Sequence, residues 1–206
     1  ALSSAASDVY KRQFEYWAYS FIFIKDKVSP KDIPFKLNRA QRRVLNKLEK
    51  LRKAGKPIKF ILLKARQWGG STLVQIYMLW IMLVHRRNWN TVICGDVETQ
   101  SRNVRAMITK ALNKYPSYLL GETVKFTPFE GSSKNKVIQN TNCVVSIGSF
   151  QKPDTLRSGD ISGAHLTEIG LWRATPGTKP EDLIQSISGS IYDTAYTICL
   201  LYTSPS

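Results

Sequence analysis

A short apolar run that turns through glycines into an apolar segment constrains this chain most. Phe60 to Leu63 is continuously apolar, as is typical of a short strand buried on both faces. Gly69 and Gly70 follow, and then the apolar run Leu73 to Val84. A strand that turns through glycines into a helix directs free backbone N–H groups towards an anion. The pattern therefore predicts a phosphate-binding loop.

Strand and helix signals alternate along the rest of the chain. Thr91 to Cys94 and Ala164 to Leu166 resemble buried strands, and an amphipathic helix follows the first of them. The segments that flank Asn140 to Asn142 have the pattern of a hairpin. We therefore predict an α/β fold, a P-loop NTPase with a mainly parallel central sheet flanked by helices, plus an antiparallel hairpin.

The predicted phosphate loop departs from the usual P-loop pattern. Its residues are Lys64, Ala65, Arg66, Gln67, Trp68, Gly69, Gly70, Ser71 and Thr72. The usual pattern places Lys directly before Ser or Thr, where this chain has Gly70. Either Lys64 or Arg66 can instead supply the charge that the β- and γ-phosphates require. Ser71 is expected to bind Mg²⁺ through its hydroxyl, with Thr72 as the alternative.

A carboxylate follows a later apolar strand. Glu168 comes after Ala164 to Thr167, at a place where P-loop NTPases have an Asp that holds Mg²⁺ and then a Glu that polarises water. Thr167 takes the Asp position here, so it is the second candidate metal ligand, without the charge of an Asp. An isolated Glu after a strand is usually an exposed cap, and the catalytic interpretation of Glu168 depends on the loop upstream.

The net charge indicates a polyanionic partner. The formal charge is +15, with 30 Lys and Arg against 15 Asp and Glu, and nucleic acid is the leading partner on this ground. A merely soluble basic surface explains the charge equally well. The helix predicted after Asn38 carries a basic face that is consistent with DNA contact, although a solvated face is the more usual reading.

Other composition features indicate a cytoplasmic protein. The three cysteines, Cys94, Cys143 and Cys199, lack metal-ligand spacing and suggest no disulfide framework. The run Leu73 to Val84 is shorter than the roughly 20 residues that cross a bilayer. We expect no membrane association and no export.

Several of these strings resemble those of tailed-phage terminase large subunits. Lys64 to Thr72 resembles the family's Walker A loop with its displaced lysine, and His165 to Trp172 is similar to its acidic Walker B strand. Phe35 to Gln41 resembles the adenine-recognition segment, which implies that Gln41 contacts the base. Arg157 lies in a stretch that resembles a family segment with a possible sensor role.

The resemblance implies an ATPase that uses Mg²⁺ and drives double-stranded DNA into a procapsid. It further implies a homo-oligomeric ring at the portal protein in the host cytoplasm, assisted by a small terminase subunit and absent from the virion. Glu168 and Arg66 are the expected catalytic residues, with Glu168 orienting water and Arg66 stabilising the transferred phosphoryl group.

The domain boundaries follow from the same resemblance. We expect an entry segment at residues 14–36 and the ATPase domain at residues 37–196, with no nuclease domain and therefore no nuclease activity. Residues 7–13 and 199–206 resemble translated sequencing adapter, with two natural tails as the alternative. We expect residues 1–13 and 197–206 to be non-native tails that do not pack into the core.

Two other functions fit parts of the pattern. A helicase-like DNA translocase uses a similar loop, glutamine segment and basic charge. A non-catalytic DNA-binding or capsid-associated protein would need the glycine turn to be incidental, and would be favoured if Ser71 and Glu168 lay on distant faces of the fold.

Overall fold

The structure is a computed structural model that describes residues 13–26, 28–64, 68–129, 132–156 and 160–202. Within these ranges, the side chains of residues 64, 132–134, 154–155 and 192–202 lie outside the description. None of the described helices is long and apolar enough to cross a membrane.

The described part of the chain contains five α-helices and nine strands. The helices are α1 (Phe14–Phe21), α2 (Arg39–Lys53), α3 (Gly70–Trp80), α4 (Glu98–Asn113) and α5 (Pro180–Gly189). The strands are β1 (Phe23–Lys25), β2 (Asp32–Pro34), β3 (Ile58–Lys64), β4 (Asn90–Gly95), β5 (Phe126–Phe129), β6 (Ser132–Ile138), β7 (Cys143–Ser149), β8 (Ile161–Thr167) and β9 (Ile191–Tyr202). Short turns of 3₁₀-helix and one π-helical turn, Ile81–His85, connect them.

Seven of these strands form one mixed sheet in the order β3-β9-β8-β4-β7-β6-β5. The four pairings from β3 to β7 are parallel, whereas β7 with β6 and β6 with β5 are antiparallel. The α/β class and the antiparallel hairpin of β6 and β7 are therefore confirmed, and the sheet is mixed rather than purely parallel. The two short strands β1 and β2 pair separately.

Local signals explain where the helices begin. Asn38 caps α2 in a capping box: its side chain accepts a hydrogen bond from the Gln41 N–H, and the Gln41 side chain accepts one from the Asn38 N–H. The apolar run after Gly70 forms α3 and the π-helical turn. From Leu73 to Leu83 it is buried, as the continuous apolar pattern predicts for a helix inside the core.

The predicted entry segment packs on the core. Trp17 of α1 is fully buried, and its indole N–H donates to the Tyr115 hydroxyl at 2.9 Å. Phe14 contacts Tyr77 and Trp80 of α3 in edge-to-face geometry. This aromatic cluster attaches α1 to α3 and to Tyr115.

The expectation that residues 197–206 lie outside the packed fold is wrong for residues 197–202. Their backbone forms the second half of β9, which lies in the sheet between β3 and β8. Leu200 pairs with Leu62 on one side and with Thr167 on the other. Local composition did not reveal this strand, because its pairing partners are distant in sequence. Residues 1–12 and 203–206 lie outside the described residues.

Candidate active site

Three parallel strands place their carboxyl ends at one edge of the sheet. Strand β3 leads into the predicted phosphate loop, β8 ends at Thr167, and β4 ends at Gly95. The register pairs Cys94 of β4 with Leu166 of β8, so the residues that follow both strands emerge side by side. In open α/β sheets this edge is where ligands bind.

Gly69 gives the loop its turn into α3. Its φ of +83° lies in the left-handed region, which glycine adopts without a steric penalty. A Cβ at this position would stand 2.7 Å from Gln41 Nε2. Glycine therefore serves here both for the backbone angle and for the close approach of α2.

The N-terminus of α2 holds the loop by two hydrogen bonds. Gln41 Nε2 donates to the Gly69 carbonyl at 3.0 Å, and Asn38 Nδ2 donates to the Trp68 carbonyl at 3.0 Å. Gln41 is only 4% exposed, and its Oε1 is engaged with the Asn38 N–H. The side chain predicted to contact adenine thus contacts the loop backbone, which leaves one amide hydrogen for a further partner.

Ser71 and Thr167 meet across the site. Their hydroxyl oxygens lie 3.1 Å apart, so that one donates a hydrogen bond to the other. Ser71 belongs to the first turn of α3 and Thr167 is the last residue of β8. The start of the loop helix and the end of the acidic strand are therefore in direct contact.

Glu168 lies at the same place. Its φ of 58° is in the left-handed region, a conformation that is uncommon for residues other than glycine and concentrates at functional sites. Its carboxylate accepts a hydrogen bond from Gln100 Nε2 of α4. Gln100 Oε1 in turn accepts from the Asp96 N–H at 3.0 Å, so one amide joins the ends of β4 and β8.

Asp96 is a second carboxylate at this edge. Burial raises the pKa of Asp96 above its ordinary value, and the nearby Glu168 raises it further, while Arg173 opposes both effects. Two acids and one guanidinium therefore interact where the strands end. Carboxylates with a perturbed pKa are typical of functional sites.

A cavity of about 240 Å³ lies beside Ser71 and Glu168. Its walls include Ser71, Thr72, Gln100, Thr167 and Glu168. Ser71 and Glu168 therefore face one cavity. They do not lie on distant faces of the fold, the arrangement that would favour a non-catalytic protein. The cavity walls combine hydroxyls, amides and one carboxylate, a suitable set for a polar ligand.

Part of the predicted site is not described by the structure. Ala65, Arg66, Gln67 and Arg157 lie outside the described residues, and only the backbone of Lys64 is described. The phosphate-binding and catalytic roles of these side chains stay predictions.

Sequence reasoning missed Asp96 and Gln100. The signal for Asp96 was present, since it follows the predicted strand Thr91 to Cys94, and the carboxyl ends of parallel strands share an edge. Gln100 could not be found in this way, because its contact with Glu168 joins residues 68 positions apart in sequence.

The oxygen atoms at this site fit a hard divalent cation. Ser71, Thr167 and Glu168 offer two hydroxyls and a carboxylate, the ligand types that Mg²⁺ prefers. No cluster of three or more His, Cys, Asp or Glu that could hold a metal is present among the described residues. A cation here would depend on few protein ligands and on a phosphate-bearing partner, which is the usual mode for Mg²⁺.

Comparisons with known proteins bear on the fold. No protein-family model matches the chain, and no curated protein matches it. The crystal structure of the HK97 bacteriophage large terminase matches with a TM-score of 0.70 and 20% identity over 94% of this chain. The large terminase ATPase domain of Thermus phage P74-26 matches with a TM-score of 0.52 and 14% identity over 84%.

The chain has the fold of the phage large terminase ATPase domain. The predicted resemblance to large terminases is thus confirmed at the level of the fold. The chain spans 38% of the HK97 large terminase chain and 66% of the P74-26 domain. In this fold, the cavity beside Ser71 and Glu168 is the candidate functional site.

Proposed function

We propose that this chain is the ATP-hydrolysing motor domain of a viral large terminase, which drives double-stranded DNA into a procapsid. The observation that carries the proposal is the contact of Ser71 with Thr167 beside Glu168, at the N-terminus of a helix that a left-handed glycine opens. Its fold, which resembles large terminase ATPase domains, supports the same conclusion.

The triphosphate would bind at the start of α3. The backbone N–H groups of the first turn have no intrahelical partner, and the helix dipole adds a partial positive charge of about 0.5 there. In this proposal Lys64 and Arg66 neutralise the phosphates, and the backbone at Gly69 and Gly70 permits close approach. Gln41 holds the loop in position and retains one amide hydrogen for the adenine base.

Ser71 is the proposed Mg²⁺ ligand, with Thr167 beside it. When bound, Mg²⁺ supplies charge neutralisation for the β- and γ-phosphate oxygens. Thr167 lacks the negative charge of an Asp, so the protein contributes less to metal binding than a standard acidic strand does. We therefore expect Mg²⁺ to bind with the nucleotide rather than before it.

Glu168 is the proposed general base. Its carboxylate lies at the cavity wall, where it can accept a proton from a water molecule positioned for attack on the γ-phosphate. Gln100 holds this carboxylate from α4, and Arg66 would stabilise the charge on the transferred phosphoryl group. Arg157 is a further proposed sensor of the phosphate.

The partners belong to the same proposal. The substrate moved by ATP hydrolysis is duplex DNA, towards which the net charge of +15 attracts the chain. The full-length protein would form a homo-oligomeric ring on the portal protein in the host cytoplasm, together with the small terminase subunit, and would not be a virion component.

Glu168→Gln is the decisive variant. Removing the base should lower ATP turnover by about 10²- to 10⁴-fold, whereas binding of a fluorescent ATP analogue should stay close to that of the unmodified chain. Phosphate release with duplex DNA present, together with a nucleotide titration, separates the two effects. Glu122→Gln, which changes an exposed acid of the same type, is the matched control.

Lys64→Ala completes the test. Loss of a loop cation should weaken nucleotide binding as well as turnover, because the phosphates lose an ionic partner. If both Glu168→Gln and Lys64→Ala turn over ATP as fast as the unmodified chain, the proposed site is incorrect.

A further inference from the structure

The positive charge of the chain is concentrated in one segment. Residues 39–59 contain nine Lys and Arg and a single acid, Glu49, and so carry a net charge of +8 out of the total of +15. Most of this segment is helix α2. The uneven distribution indicates a local function rather than a uniformly basic, soluble surface.

The cations of α2 form a continuous stripe on its outer face. Arg39, Arg43, Lys47 and Lys50 follow one another at intervals of three or four residues, so they share one side of the helix. All four are exposed. At about 1.5 Å per residue the stripe extends over roughly 16 Å, long enough to meet several phosphates of a nucleic acid strand.

Acidic side chains do not neutralise this stripe. Among the described residues, no ion pair involves any of the four stripe cations. Glu49 faces inward, where it accepts hydrogen bonds from Arg52 and from Tyr77 of α3. Glu15 pairs with Arg42 at the margin of the stripe.

Helix α4 shows the contrast. It also bears cations beside a wide surface depression, yet Lys110 and Lys114 pair with Asp32, and Arg105 pairs with Glu98. Positive charge on and beside α4 is thus partly balanced within the protein, although the two lysines share one carboxylate. Of these two basic helices, α2 carries the larger number of exposed cations without an acidic partner among the described residues.

The opposite face of α2 argues against a membrane as that partner. Val44, Leu45 and Leu48 are buried in the protein core. An interfacial helix inserts its apolar face into the lipid, and here that face is already occupied. The exposed stripe offers charge without apolar area, which suits a phosphate backbone in water.

We propose that the outer face of α2, formed by Arg39, Arg43, Lys47 and Lys50, binds the phosphate backbone of duplex DNA. This inference deepens the proposed function and rests on it for the identity of the nucleic acid. The same helix holds the phosphate loop through Asn38 and Gln41. Two hydrogen bonds therefore connect the DNA-binding helix directly with the loop that would hold ATP.

The test is a triple variant, Arg43→Gln, Lys47→Gln and Lys50→Gln, in the full chain. Binding of a fluorescent duplex is measured by anisotropy without nucleotide, over a series of salt concentrations. Each lost phosphate contact lowers the slope of log affinity against log salt by about 0.9, so we expect a slope smaller by about two to three. At low salt the affinity itself should fall at least about tenfold.

The matched control removes the same charge elsewhere. The control variant combines Lys25→Gln, Lys31→Gln and Lys125→Gln, which remove exposed cations from other parts of the surface. Their loss should change the slope of log affinity against log salt by less than about one. Circular dichroism melts of both variants check that the fold is retained. Equal effects of the two triple variants on duplex binding would refute the proposal. It would also be refuted if the α2 variant lost binding to anionic vesicles but bound duplex DNA as well as the unmodified chain.

Measuring DNA binding without nucleotide keeps the two proposals separable. If Glu168→Gln hydrolyses ATP normally but the α2 variant loses DNA affinity, the ATPase assignment fails and the DNA-binding face stands. If ATP turnover depends on Glu168 but the α2 variant binds DNA normally, only the inference about α2 is overturned.

Discussion

At the scale of single residues, Gly69 connects the sequence most directly with the site. Its left-handed backbone turns the chain into α3, and its carbonyl accepts the hydrogen bond from Gln41. Glycine permits both features, because a Cβ would disfavour the left-handed backbone and would collide with Gln41. This explains why a short glycine turn can support a ligand site.

Gly69→Ala should therefore destabilise the fold and disturb the loop. The left-handed angle costs a non-glycine residue about 1–2 kcal/mol, and the new Cβ would also displace Gln41. Urea denaturation should show a loss of at least that size, accompanied by weaker binding of an ATP analogue.

Gly55→Ala separates the two causes. Gly55 also has a positive φ, of 65°, but a Cβ there would meet nothing within 4 Å. This control should show the conformational cost with nucleotide binding unchanged. If Gly69→Ala proves no more harmful than Gly55→Ala, the close approach of Gln41 has no energetic importance.

At the scale of secondary-structure elements, Glu49 joins α2 to α3. Its Oε1 accepts from the Tyr77 hydroxyl at 2.8 Å and from Arg52 Nε at 2.7 Å. Burial raises the pKa of Glu49, but the hydrogen bonds from Arg52 and Tyr77, together with the charges of Arg52 and Lys53, lower it more, and the net shift is downward. The ionised form thus stabilises the pair of helices that positions the loop.

Glu49→Gln should cost about 1.5–3 kcal/mol of unfolding free energy at neutral pH, because hydrogen bonds to a charged group are lost. Since the folded pKa lies below the ordinary 4.5, this stabilisation is complete above that value and disappears as the pH falls through the folded pKa. Denaturation curves over a pH series should therefore converge for the two proteins in acid.

An exposed carboxylate provides the control for this element. Glu122 pairs with Lys125 at the surface, and Glu122→Gln should change stability by no more than about 1 kcal/mol at any pH. A pH-independent difference between Glu49→Gln and the unmodified chain would show that packing, and not the charge, joins the helices.

At the scale of the whole molecule, β9 holds the two halves of the site together. It pairs with β3, which leads to the phosphate loop, and with β8, which ends beside Glu168. Because β9 lies between β3 and β8, it sets the spacing of the two strands that lead to Ser71 and Thr167. The geometry of the candidate site is thus a property of the entire sheet.

Deletion of residues 191–206 should accordingly abolish cooperative unfolding. The deletion removes the strand next to the sheet edge and leaves β3 and β8 with unpaired edges, which favour aggregation. Circular dichroism melts and limited proteolysis report this outcome, and deletion of residues 203–206 alone is the control. A truncated chain that melts as sharply as the full one would show that β9 is dispensable.

Local signals in the sequence determined much of this protein. Asn38 predicted the start of α2, Gly69 and Gly70 predicted the turn into α3, and the alternating apolar runs predicted an α/β fold. Such signals can be read directly because caps, turns and helical periodicity depend on residues a few positions apart. The hairpin of β6 and β7 follows from the same short-range rules.

Tertiary structure alone decided the strand order and the composition of the site. The insertion of β9 between β3 and β8, and the contacts of Gln100 with Glu168 and of Gln41 with Gly69, join residues far apart in the chain. Their pairing is selected by the packing of the whole sheet and its helices, in which many weak contacts must be satisfied together. No segment read by itself contains that information.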